Sequence, residues 1–394
     1  MSLQSFIAGR WISPAATGAA LRDATTGEVI AHATTEGIDT AAALEHARAV
    51  GGPNLRKLTF HERAACLKAL AKRLTELKEE FYTLSYATGA TRTDSWIDID
   101  GGIGTLFVYA SKGARELPDG TVFVDGAVEA LSKSGGFLGQ HICVPFAGAA
   151  IQINAFNFPV WGMLEKLAPA LLAGMPAIVK PATATSYLTE RVFRRMVESG
   201  LLPEGSVQLI CGGIGDLFDH LTCQDVIAFT GSASTAQKLR QHPAIIEQAV
   251  RFTSETDSLN SSILGPDVQA DSPELDLFVR EVVREMSVKA GQKCTAIRRA
   301  IVPASRVSTV LEALRAALGR IVVGDPRLEG VRMGPLASLS QRREVLERIK
   351  ILQAEAELVC GGGSVSGLKG AEAERGAFIA PTLLYCRDPQ RARA

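Results

Sequence analysis

Apolar positions along this chain follow two rhythms. Leu67, Leu70, Leu74, Leu77, Phe81 and Leu84 recur at helical spacing, with Lys68, Lys72, Arg73, Glu76 and Glu79 on the other faces. That spacing predicts a helix whose apolar stripe faces a core. From Gly148 the pattern changes to short apolar runs separated by amphipathic stretches. The runs are Ala149–Ile153, Ala177–Lys180, Val207–Cys211 and Val226–Phe229, with helices predicted over Trp161–Leu172 and Leu188–Val197. Apolar strands alternating with helices predict βαβ units and a parallel sheet covered on both faces. Ligands of such sheets bind at the carboxyl ends of the strands. Asn157, Lys180 and Gly231-Ser232 each fall just after a predicted strand.

The flanking regions read differently. Phe6–Trp11 and Thr25–Ile30 read as short strands and turns. Val122–Val124, Ala130–Phe137 and His141–Val144 read as extended segments around a glycine turn, a hairpin arm over 120–147. A second α/β series starts near Ser258, where Ser262–Gly265 and Arg299–Pro303 flank a helix predicted over Leu275–Lys289. Further helices are predicted at Val307–Leu318 and Ser340–Ala354.

Length and composition narrow the class. At 394 residues the chain exceeds what one hydrophobic core serves. Lys+Arg and Asp+Glu are both 42, and this zero net charge gives no reason to expect nucleic acid or an anionic membrane as partner. The seven cysteines have no CxxC pair and no histidine cluster, which argues against a disulfide framework and a metal site and fits a reducing cytoplasm. No signal peptide and no bilayer-spanning apolar stretch is visible.

The chemistry centres on Gly291-Gln292-Lys293-Cys294-Thr295, with Glu255 39 residues before the cysteine and Asn157 further back. A thiol can attack a carbonyl, an amide can donate to the developing oxyanion, and a carboxylate can activate the water that releases an acid. Cys294 and Glu255 alone have bland readings, a small core cysteine and a surface glutamate, whereas Asn157, flanked by Phe156 and Phe158 and followed by Pro159, suggests a held amide near a helix start. Asp257 and Glu285 are alternative carboxylates ranked below Glu255. Lys293 can aid the thiol only if its side chain points the same way. Phe229-Thr230-Gly231-Ser232 ends a strand and opens a helix, where N–H groups can meet a pyrophosphate. Gly212-Gly213-Ile214-Gly215 is a poor match to GxGxxG and reads better as a turn.

At these residues the chain resembles the aldehyde dehydrogenase superfamily, essentially throughout its length. Phe156-Asn157-Phe158-Pro159 is similar to the family's oxyanion motif, and Gly291-Gln292-Lys293-Cys294 to its nucleophile motif. Lys166 with Ala168–Leu171, Val179-Lys180-Pro181-Ala182 and Phe229-Thr230-Gly231-Ser232 resemble its cofactor-binding stretches. Val323-Gly324-Asp325-Pro326 and Met333-Gly334-Pro335-Leu336 match landmarks without catalytic roles. The resemblance implies an α/β fold with three parts. A Rossmann-type NAD(P)-binding domain covers 1–119 and 148–256, an oligomerisation arm 120–147, and an α/β catalytic domain 257–394. It implies Cys294, Glu255 and Asn157 as catalytic residues. Phe156, Lys166, Lys180, Thr183, Gly231 and Ser232 are implied to meet the cofactor, and no metal is implied.

Two departures stand out. The family's Glu-Leu-Gly-Gly is here Glu255-Thr256-Asp257-Ser258-Leu259-Asn260. Thr183 stands where many NAD-dependent members carry a ribose-binding Glu, so NADP is expected to be preferred, with NAD accepted. Ile153–Pro159, Asp257–Asn260 and Lys293–Arg299 resemble the subgroup acting on coenzyme A-linked ring-cleavage semialdehydes, the PaaZ-type modules of phenylacetate breakdown and their benzoyl-CoA-route relatives. The family's Glu-x-Phe-Gly-Pro motif is not found before Ala394, so the catalytic domain is expected to be truncated. The expected activity is hydrolytic oxidation of an aldehyde in a homo-oligomer. Rival expectations are a coenzyme A-acylating dehydrogenase and a non-catalytic fragment that binds nucleotide or a partner.

Overall fold

The computed structural model describes residues 2–363, 365–388 and 390; Ala394, the expected truncation point, lies outside them. The chain forms two compact units. One contains residues up to Ala20, Ala31–Phe81 and Asp98–Thr256; the other contains Leu21–Ile30, Tyr82–Ile97 and the chain from Asp257 onward. The expectation that all of 1–119 joins the first unit is therefore corrected. Backbone pairing explains the change: Ala24 N–H donates to Ala87 O and Ala377 N–H to Ala24 O, each at 2.8 Å. Asp23 also pairs with Arg327.

The first unit is built on a seven-stranded sheet. Its order is Arg251–Thr256, Val226–Gly231, Ala150–Ile153, Ala177–Lys180, Val207–Leu209, Ser5–Ile7, Arg10–Ile12. The first five strands are parallel, and the last two join antiparallel. Strand Ala150–Ile153 comes first among the parallel five, and the chain then builds outward on both sides of it. The strand order therefore reverses between Ala150–Ile153 and Val226–Gly231, the switch point at which open α/β sheets bind ligands. Ile151, Ile153, Ile178, Ile227 and Phe229 are buried with Ile7, Leu44 and Leu217 in one cluster. Burial of each such side chain contributes about 1.5–3 kcal/mol, which is why this face of the sheet is apolar.

The helical stripe is realised in helix Phe60–Ser85, with Leu67, Leu70, Leu74 and Phe81 buried. Helix Arg92–Glu116 is not announced by its sequence, because Gly101, Gly102, Gly104 and Gly113 interrupt it and glycine is a poor helix former. Two of these glycines are required by packing. A Cβ at Gly101 would lie 2.4 Å from the Trp161 ring, and one at Gly102 2.8 Å from Trp161 Cα. Buried Asp98 accepts from the N–H groups of Val160 (3.2 Å) and Trp161 (2.8 Å), satisfying the start of helix Trp161–Leu172.

The hairpin pairs Phe123–Ala130 with Leu138–Cys143. Ala130–Phe137, predicted as extended, is instead mostly the turn, closed by Leu131 N–H to Phe137 O at 2.8 Å. Gly135 supplies the positive φ of 68° that the turn needs.

In the second unit, parallel strands Ser261–Ile263 and Arg299–Ile301 pair beside helices Pro273–Ser287 and Val307–Leu318. Leu264, Leu275, Phe278, Val282, Val310 and Leu314 form their core. A second core gathers Val323, Met333, Leu336 and Phe378. The helix predicted to reach Lys289 ends at Ser287. Lys289, Ala290 and Gly291 then take left-handed φ values of 54°, 52° and 73°, strained for the two residues with a Cβ by roughly 1–2 kcal/mol each.

Candidate active site

In the first unit the candidate residues gather at the carboxyl ends of the parallel strands. Glu255 pairs in register with Thr230, and Ala228 with Gln152. Asn154 N–H donates to Lys180 O at 3.0 Å and extends the ladder one residue past Ile153. Side chains alternate along a strand, so Gln152, Asn154, Thr230 and Glu255 share one face. Asn154 is 3% exposed and Gln152 1%. Both amide atoms of Asn154, Gln152 Oε1 and Thr230 Oγ1 are buried without a hydrogen-bond partner. Buried polar groups are normally satisfied, so this row stands out from the apolar face opposite. Its members fall on different strands, and no local motif exposes them in sequence.

Asn157 lies in the segment between strand Ala150–Ile153 and helix Trp161–Leu172. That segment is held by side chains on both sides of Asn157: Thr185 Oγ1 donates to Phe156 O (3.2 Å) and Thr189 Oγ1 to Pro159 O (3.0 Å). Lys180 ends its strand, and burial holds its ammonium below the usual lysine range. Thr183 Oγ1 donates to Gly212 O at 3.1 Å, tying the turn at Gly212–Gly215 to the next strand end. Gly231 ends its strand, and Ser232 caps helix Ala233–Arg240 by accepting from Thr235 N–H at 3.2 Å. Lys166 donates to Glu165 (3.0 Å) and to Gly162 O (3.4 Å) within its own helix.

In the second unit, Cys294 is exposed, whereas Cys211 is buried and burial pushes its thiol up. The three left-handed residues turn the chain out of helix Pro273–Ser287 into the cysteine segment. Gln292 anchors that segment, with Oε1 accepting from Ala337 N–H (3.1 Å) and Nε2 donating to Lys289 O (2.8 Å). Lys293 is buried and donates to Glu285 at 2.6 Å. Arg298 donates to Gly291 O (2.7 Å) and Lys293 O (3.0 Å). Burial lowers the Arg298 pKa, while attraction to a Cys294 thiolate acts in the opposite sense. Sequence reading passed over Arg298, Ser258 and Asn260 as site residues.

The switch point, Lys180 at its strand end and the capped helix start after Gly231 lie where open α/β sheets bind ligands. The turn in the second unit presents an exposed thiol. These features define the class of an NAD(P)-dependent oxidoreductase with a cysteine available for covalent chemistry.

The chain belongs to the aldehyde dehydrogenase family, whose pattern matches residues 11–393. It is 47% identical to the 3,4-dehydroadipyl-CoA semialdehyde dehydrogenase of Aromatoleum evansii, over the whole of this chain and 76% of that one. PnpE from Pseudomonas sp. WBC-3 has a similar structure, with TM-score 0.83 and 27% identity over 98% of this chain and 76% of that one. So does a Mycobacterium tuberculosis aldehyde dehydrogenase complexed with NAD+, with TM-score 0.82 and 28% identity over 97% and 76%. The chain is an NAD(P)-dependent aldehyde dehydrogenase.

Proposed function

We propose that this enzyme oxidises a coenzyme A-linked ring-cleavage semialdehyde to its acid, with NADP preferred over NAD. The observation that carries the reaction is Cys294, exposed on a segment whose neighbouring residues are anchored. The substrate class is supported by the likeness to a dehydrogenase of 3,4-dehydroadipyl-CoA semialdehyde. A phenylacetate-derived semialdehyde belongs to the same chemical class. The NADP preference is supported by Thr183, a neutral residue whose hydroxyl is turned to Gly212 O.

In this reading the Cys294 thiolate attacks the aldehyde carbon. Asn157 Nδ2 and the Cys294 N–H donate to the oxyanion that forms. The nicotinamide cofactor, when bound, supplies the hydride acceptor. The acyl group is then held on Cys294 as a thioester. Glu255 takes a proton from water, the resulting hydroxide adds to the thioester carbonyl, and the acid leaves with return of the thiol. Lys180, Thr183, Gly231, Ser232, Phe156 and Lys166 are the proposed cofactor contacts. The proposed compartment is the reducing cytoplasm, supported by seven cysteines without a disulfide framework. The hairpin, with Val124, Val128, Phe137, Leu138 and Ile142 exposed, is proposed to pair with a second copy.

The test follows cofactor reduction by the purified chain with NADP and a coenzyme A-linked semialdehyde. Sustained turnover is expected, lost in Cys294→Ala. Glu255→Gln is expected to give one burst of reduced cofactor without sustained turnover. Normal turnover in Cys294→Ala overturns the nucleophile, and a requirement for free coenzyme A overturns the hydrolytic reading.

A further inference from the structure

We propose that Ser258 and Asn260 form a clamp that positions the Cys294 turn, which makes them positioning residues for the nucleophile. This rests on Cys294 being the nucleophile. The two residues lie in the stretch where this chain departs from the family's glycine pair. Asn260 Nδ2 donates to Cys294 O at 2.6 Å and to Ala296 O at 3.1 Å. Ser258 Oγ donates to the same Cys294 O at 2.5 Å. Asn260 O in turn accepts from the N–H groups of Arg298 (2.8 Å) and Arg299 (3.1 Å). Asn260 therefore grips the cysteine segment through side chain and backbone together. It does so at the start of the parallel pair in which Ser261 faces Arg299, so the clamp is built on regular structure.

The wider pattern supports the same reading. The carbonyls of Lys289, Gly291, Lys293, Cys294 and Ala296 each accept a side-chain hydrogen bond. A free loop leaves such carbonyls to water. Here they set the peptide planes before and after Cys294, and with them the direction of its Cα–Cβ bond. The Cys294 carbonyl receives two of these bonds. A nucleophile must be held within about 0.5 Å of its reacting position, and glycines at 257–258 would supply no side-chain donor.

The experiment compares Ser258→Ala, Ser258→Thr and Asn260→Asp in the full chain. It measures kcat and KM for the semialdehyde, together with the rate of iodoacetamide alkylation at Cys294, mapped by peptide mass spectrometry with Cys294→Ala as control. Removing one donor frees the carbonyl it held and loosens the peptide plane that carbonyl fixed. Asn260→Asp, which keeps size but loses the donor, is expected to lower kcat about 10–100-fold with KM within about threefold. Ser258→Ala is expected to lower kcat about 3–10-fold, with Ser258→Thr restoring it, and alkylation at Cys294 is expected to change in parallel. Ser258 is half-buried and its replacement by alanine removes only a hydroxyl, so its variants decide the question even if Asn260→Asp does not fold. Normal kcat and alkylation in folded Ser258→Ala and Asn260→Asp, alongside an inactive Cys294→Ala, overturn the clamp and leave the nucleophile standing. A drop in thermal stability alone, with kcat and alkylation intact, overturns it too. Turnover in Cys294→Ala removes the reading on which it rests.

Discussion

Lys293 Nζ lies 2.6 Å from Glu285 Oε1, with side chains only 10% and 12% exposed. The residue next to Cys294 thus spends its charge on helix Pro273–Ser287. The carboxylate that sequence reading kept as an alternative base is engaged in the same pair. Arg298 in turn is drawn electrostatically toward both Cys294 and Glu285.

Removing one member of a buried pair leaves a charge without compensation and destabilises by about 3–5 kcal/mol. Glu285→Gln is therefore expected to lower the urea midpoint of the second unit's unfolding. The double variant Lys293→Met, Glu285→Leu is expected to recover most of the loss. A midpoint unchanged in Glu285→Gln contradicts this account of the pair.

Burial holds the Lys180 ammonium below the usual lysine range. The unfolded chain then binds the proton more readily than the folded one, so this group makes the protein more stable as pH rises from the folded pKa to the ordinary lysine value. Cofactor binding has the opposite sign if the ammonium meets a ribose phosphate, because charge is lost as pH rises. The Kd for NADP is expected to increase on the alkaline side at lower pH than an ordinary lysine allows. Lys180→Met is expected to bind weakly at all pH values with that dependence gone. Fluorescence titration of cofactor binding from neutral to alkaline pH measures both.

Thr183→Glu adds a carboxylate where the phosphate of NADP is proposed to sit. Like charges held close oppose each other, and a tenfold loss corresponds to about 1.4 kcal/mol. Tenfold or greater loss in kcat/KM for NADP is expected, with NAD kept or improved. Equal effects on both cofactors would falsify the assignment of Thr183.

Gly101→Ala sets two effects against each other. Alanine favours a helix by roughly 1 kcal/mol over glycine, but its Cβ would lie 2.4 Å from the Trp161 ring. Overpacking costs about 1–3 kcal/mol, and the half-buried site faces Trp161 at the start of the helix that follows Asn157. A lower melting temperature is expected in a thermal scan, together with reduced kcat. A raised melting temperature would mean that Trp161 yields freely.

Legibility varied with how each element earns its burial. Helix Val307–Leu318 and the strands at 150–153 and 177–180 are readable because burial imposes a period or an apolar run on them. Strand Arg251–Thr256, which carries Glu255, has no strand signal in its sequence. It lies at the sheet edge with alternating exposed and half-buried residues, so polar side chains are tolerated along it. Helix Arg92–Glu116 escaped because four glycines break its pattern, two of which answer to Trp161, a residue far away in sequence.

By itself the amino-acid order determined the βαβ alternation, the motifs around Asn157, Lys180, Gly231 and Cys294, and the family to which they point. These are local patterns, set by period and by neighbouring residues. Tertiary structure alone decided that 21–30 and 82–97 pack with the second unit. It also decided that Lys293 faces Glu285, that Gln152, Asn154, Thr230 and Glu255 share a face, and that Ser258 and Asn260 grip the Cys294 carbonyl. Each of those depends on hydrogen bonds or register between residues distant along the chain, and a linear pattern carries no record of which distant donor meets which acceptor.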